Sequence, residues 1–101
     1  MGKVIFSVQY EINSGKRTEF FDIINELKNL VKPEGLESYE LYEVKGKKNH
    51  FQEVYIFSSE EAYENFDDNQ SERINILVGK LGELTVNNST KYTTLCQVIT
   101  N

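Results

Sequence analysis

Residues 35–66 read GLESYELYEVKGKKNHFQEVYIFSSEEAYENF, and this stretch decides the architecture. Its first run, 37–44, alternates between polar and apolar side chains, as a strand with unlike faces requires. A polar loop, Lys45-Gly46-Lys47-Lys48-Asn49-His50, separates it from a second run at 51–57 that is rich in aromatic and β-branched residues. Loop length and composition suit a hairpin, so the two runs are expected to pair antiparallel. Ser58, followed three residues later by Glu61, has the form of a capping box. It predicts a short helix with Ala62, Tyr63 and Phe66 on one side.

Reading outward, residues 3–12 place Val4, Phe6, Val8, Tyr10 and Ile12 on one face and Ser7, Gln9 and Glu11 on the other, a second half-buried strand pattern. Asn13-Ser14-Gly15 is a turn. Phe20, Ile23, Ile24, Leu27, Leu30 and Val31 then recur at three- and four-residue spacing, which predicts a helix over 16–31 stopped by Pro33 and Gly35. Downstream, Asp67-Asp68-Asn69-Gln70 is expected to interrupt the helix, because short polar side chains compete for backbone hydrogen bonds. From Ser71 the helical period returns with Ile74, Leu77, Val78, Leu81 and Leu84. After a loop at 86–89, residues 91–99 predict a last strand whose faces, Tyr92/Thr94/Cys96/Val98 and Thr93/Leu95/Gln97/Ile99, each carry apolar area. The order is β-α-β-β-α-β, the split βαβ arrangement, in one domain spanning 1–101. A second sheet face that is neither fully polar nor fully apolar predicts cover by another protein surface.

The 101 residues fit a single core of modest stability, which association would help. Hydrophobic residues make up 39% and aromatic residues 12%, well away from the composition of disordered chains. Eleven basic against sixteen acidic residues leave a net charge of −5, which repels phosphate backbones and anionic lipid headgroups. Nucleic acid and membrane are therefore not expected as partners. Lys45, Lys47 and Lys48 read as a solvated turn. Cys96, the single cysteine, has no intrachain disulfide partner, and no apolar stretch reaches membrane-span length. The expected location is the cytoplasm.

The Ser38-Tyr39-Glu40-Leu41-Tyr42 run after a Pro-x-Gly turn, the aromatic third strand and Ser59-Glu60-Glu61-Ala62-Tyr63-Glu64-Asn65-Phe66 resemble the antibiotic biosynthesis monooxygenase domain of the dimeric α/β barrel superfamily. The similarity spreads over nearly the whole chain. It implies an α+β, ferredoxin-like protomer with an antiparallel sheet, which forms a homodimer through its sheet face with the helices outside. It also implies a pocket between sheet and helices, lined here from Phe6, Val8 and Tyr10, helix 1, and Tyr63 and Phe66. The implied activity is cofactor-independent oxygenation of a small hydrophobic, phenolic or quinol-type molecule. A non-catalytic ligand-binding or sensing module of the same fold is the alternative. It is favoured by the absence of the histidines that many such oxygenases carry near the positions of Asn65-Phe66 and Gln70. Haem degradation is disfavoured: that branch needs a Trp in the short helix and a His about three turns later, and the chain has no Trp and no His over 71–84.

A cofactor-free oxygenase needs a base and a dry chamber. His50 is the only imidazole; it falls at the end of the hairpin loop, where a solvated histidine competes with a general base. Among six tyrosines, Tyr10 and Tyr63 are the expected orienting phenols, and Phe6, Val8, Phe20 and Phe66 the expected pocket wall. Glu11, Glu40, Glu43 and Glu53 lie on strands; one buried in an apolar pocket can serve as acid or base, whereas exposure or pairing makes it structural. Cys96 reads as a small buried hydrophobe rather than a nucleophile. No His/Cys/Asp/Glu spacing matches a metal motif and no Gly-rich phosphate loop appears, so no cofactor is expected.

Overall fold

The hairpin predicted from 35–66 is present in the computed structural model, which describes residues 2–66 and 71–100. Strands β2 (Leu36–Glu43) and β3 (His50–Phe57) pair antiparallel, and Gly46 and Asn49 turn the chain between them in the left-handed region. Strand β1 (Val4–Glu11) lies against the other edge of β3. Strand β4 (Lys91–Cys96) pairs with the free edge of β1, giving the order β2-β3-β1-β4 with every neighbour antiparallel. Helices α1 (Arg17–Leu30), α2 (Glu60–Glu64) and α3 (Glu72–Leu84) complete an α+β, ferredoxin-like fold.

Period-two alternation sorts the sheet into two faces. Val4, Phe6, Val8, Tyr10 and Ile12 share the helix side with Phe51, Glu53, Tyr55 and Phe57, as the β1–β3 register requires. On β2 a bulge between Leu36 and Ser38 adds one residue. It brings Leu36 onto the same face as Tyr39 and Leu41, and Leu36 packs on the core. Phe20, Leu27, Phe51, Phe57, Leu77, Ile12 and Val4 are the most deeply enclosed side chains. Each stabilises the fold by about 1.5–3 kcal/mol through burial of apolar surface. The remaining face carries Ile5, Val54, Ile56 and Leu95, with Leu95 55% exposed.

Helix α1 is stopped where expected: Val31 caps it with an N–H to Leu27 O bond, just before Pro33. Gly35 holds φ +86°, and a Cβ there would lie 2.4 Å from the Ala62 methyl, so only glycine fits between α1 and α2. Helix α3 rests on α1, where Arg73 grips Glu26 through two hydrogen bonds of 2.5 and 2.8 Å. Its inward side reaches over the sheet without closing on it.

Three expectations shift in detail. The cap of α2 is Ser59, whose Oγ accepts from Ala62 N, rather than Ser58. Strand β4 ends at Cys96 instead of 99, because beyond the Val4–Cys96 pair the ladder continues only through the Gln97 N–H to Lys3 O bond. Cys96 is exposed rather than buried, since all of β4 is an edge strand uncovered in the protomer. The break expected at 67–70 lies outside the described residues. Among the described residues no helix is long and apolar enough to cross a membrane.

Candidate functional site

The gap between α3 and the sheet is a cavity of about 430 Å³, floored by Phe6, Val8, Tyr10, Glu53 and Tyr55 and roofed by Leu27, Ile74, Val78 and Leu81. Phe66 and Val31 close one end. Gly82, Thr85, Thr90 and Tyr92 border it at the other, and Tyr92 is 70% exposed there. This size lies in the range of small-molecule sites. Gly82 contributes to it by omission, since a Cβ at that position would meet nothing within 4 Å.

Among the described residues Glu53 is the only charged side chain in the wall, and it is 3% exposed. Three phenols converge on it. Tyr10 donates to Oε2 at 2.6 Å, while Tyr39 and Tyr55 donate to Oε1 at 2.5 and 3.0 Å. Register explains the convergence: Glu53 sits opposite Val8 on β1 and Leu41 on β2, and Tyr10, Tyr39 and Tyr55 lie one inward position along the neighbouring strands or along β3 itself. Burial, followed by the negative charge of Glu53, pushes all three phenols well above the ordinary tyrosine range. They therefore remain protonated donors, and the carboxylate charge is held by hydrogen bonds inside an otherwise apolar floor. Tyr39 stacks on Tyr55 with ring centroids 4.3 Å apart and planes 4° from parallel, and this fixes both hydroxyls.

Of the residues expected from sequence, Phe6, Val8, Tyr10 and Phe66 line this cavity. Phe20 is fully buried beneath it, packed edge-on against Tyr10 and 4.6 Å from the Phe51 ring. Tyr63 lies outside the lining, against Phe6 and Phe57, with its hydroxyl 3.1 Å from Thr94 Oγ1. His50 opens β3 on the opposite side of the sheet, beside Glu11, with Nε2 3.6 Å from a Glu11 carboxylate oxygen. Of the strand glutamates, Glu40 and Glu43 pair with Lys28 and Arg17 at the surface. Only Glu53 enters the cavity. Its signal was present in the alternation of 51–57, where it is the one charged residue on the Phe51, Tyr55, Phe57 face. Cys96 has no activating cation: partial desolvation and the Glu60 carboxylate push its thiol up. No group of three or more His, Cys, Asp or Glu side chains suited to a metal ion occurs among the described residues.

Compared by sequence, the chain matches no family model and no curated protein. Compared by structure, it is similar to a protein from Caulobacter crescentus CB15 provisionally described as an antibiotic biosynthesis monooxygenase. The TM-score is 0.82 at 15% identity, over 97% of this chain and 92% of that one. It is similar to SnoaB, a cofactor-independent oxygenase from Streptomyces nogalater, with TM-score 0.77 and 13% identity over 99% and 97% of the two chains. A conserved protein from Methanosarcina mazei Go1 superposes with TM-score 0.79 and 16% identity, over 94% and 92%. At such identities the likeness establishes the fold: this chain has the ferredoxin-like α+β architecture of structures provisionally described as antibiotic biosynthesis monooxygenases.

Proposed function

We propose that the protein is a cofactor-independent monooxygenase acting on a small hydrophobic molecule with a phenol or quinol hydroxyl. The observation that carries this reading is a largely apolar cavity whose one charged wall group among the described residues, Glu53, is positioned by three protonated phenols. In such a reaction Glu53 accepts the substrate proton and leaves an electron-rich anion among largely apolar walls. Dioxygen takes the electrons, a C–O bond forms, and the resulting hydroperoxide loses water as its O–O bond breaks. Glu53 first returns its proton to the peroxide oxygen. It then takes the second C–H proton as the O–O bond breaks and C=O forms, and passes it to the departing hydroxide, so that a CH₂ group and O₂ become C=O and H₂O. The likeness to SnoaB, a cofactor-independent oxygenase, supports this class of chemistry.

The alternative, a non-catalytic ligand-binding or sensing module, is favoured by one observation. The only imidazole, His50, is on the far side of the sheet from the cavity. Oxygen uptake separates the two readings. Purified protein supplied with anthrones and hydroquinones is expected to consume O₂, and Glu53→Gln to lower the rate at least about a hundredfold, the usual contribution of a positioned base. Binding without uptake would establish the module instead. The reading includes a cytoplasmic homodimer joined through the face that carries Ile5, Val54, Ile56 and Leu95. Those apolar side chains support it by analogy with packed sheets.

A further inference from the structure

Tyr39 makes the shortest of the three bonds to Glu53, at 2.5 Å, yet it is absent from the cavity wall. It lies behind the floor, bordering a surface cleft with Lys28, Lys32, Leu36 and Glu40. The two carboxylate oxygens of Glu53 are unequally used. A carboxylate offers about four acceptor positions, two on each oxygen. Oε1 receives both Tyr39 and Tyr55, while Oε2 receives Tyr10 alone. Among the described residues one acceptor position on Oε2 is therefore left over, on the oxygen whose phenol partner, Tyr10, is itself part of the cavity wall.

From this asymmetry we infer that Tyr39 is a positioning residue: by filling Oε1 together with Tyr55 it stops the carboxylate turning over and reserves Oε2 for a hydroxyl donor on the ligand. The inference rests on the reading of the cavity as a ligand site and adds a selection rule to it. A neutral molecule with one well-placed O–H is preferred over its methyl isostere, because only the former completes the fourth acceptor position. Anionic ligands are disfavoured, since Glu53 puts a negative charge in the wall. Tyr39→Phe keeps the ring and its stack on Tyr55 and deletes only the hydroxyl.

Calorimetric titration of the intact protein with 2-naphthol and with 2-methylnaphthalene tests this. Wild type is expected to bind the naphthol about tenfold more tightly, the contribution of one hydrogen bond to a charged group. Tyr39→Phe is expected to cut that preference to about threefold or less while leaving the affinity for 2-methylnaphthalene unchanged. Tyr55→Phe, which also frees Oε1, should reduce the preference in the same direction. A preference that survives intact in both variants, with only their unfolding midpoints lowered, would show the phenols to be structural and overturn the inference. Equal affinities in wild type would overturn it while leaving the cavity a ligand site. If neither probe binds wild type, the ligand-site reading fails and takes the inference with it.

Discussion

A methyl group at position 35 would meet the Ala62 Cβ at 2.4 Å on a backbone already at φ +86°. Gly35→Ala is therefore expected to cost about 3 kcal/mol, combining left-handed strain with overpacking. Adding Ala62→Gly should recover the overlap and leave the conformational part, and urea unfolding of the two variants separates them. Glu53→Ala is expected to cost about 3 kcal/mol or more by the same measurement, because three buried hydroxyls lose their shared acceptor. The alternation of 51–57 already placed Glu53 among Phe51, Tyr55 and Phe57. Its partners were not legible, because joining Tyr10, Tyr39 and Tyr55 around one carboxylate depends on the register of three strands. Tyr63 illustrates the converse. Helical spacing put it on the inward side of the short helix, but it packs on Phe6 and Phe57 next to the cavity rather than within it.

At the level of elements, α2 and α3 are each capped by the side chain of the serine that precedes them. Ser59 Oγ accepts from Ala62 N at 3.1 Å and Ser71 Oγ from Ile74 N at 3.2 Å. Ser59→Ala and Ser71→Ala should each cost about 1 kcal/mol, whereas Ser58→Ala should cost only a few tenths; thermal unfolding of the three variants checks the ranking. Two adjacent serines read alike in a sequence, and only the extended backbone at Ser59, φ −157° and ψ 165°, identifies which is the cap. The existence of all four strands was legible from period-two patterning, and the hairpin loop showed that the second and third pair. The end of β4 was not: its apolar alternation runs on to 99, but a strand lasts only as long as its neighbour supplies partners. The bulge on β2 was equally hidden, since the alternation of 37–44 gives no sign of the extra residue that turns Leu36 inward.

For the molecule as a whole, the tyrosine cluster sets an alkaline limit. Tyr10, Tyr39 and Tyr55 have folded-state pKa values raised above the ordinary 10.0 of a phenol. Their protonated forms favour the native state fully below that pH, and the benefit is lost as pH rises and the unfolded chain alone ionises. Stability should thus fall above about pH 10 by up to ~1.4 kcal/mol per pH unit per tyrosine. Ionisation of these three phenols, followed by ultraviolet absorbance, should coincide with loss of ellipticity. The apolar face of Ile5, Val54, Ile56 and Leu95 is expected to hold two copies together, and Ile56→Lys to shift sedimentation toward the protomer. Because α3 leans on α1 across an open cavity, and carries Gly79 and Gly82 within it, it is held down less firmly than α1. Deuterium should enter its amides sooner than those of α1, and a molecule lodged beneath it should slow that entry. The roof would then report occupancy even if no chemistry followed.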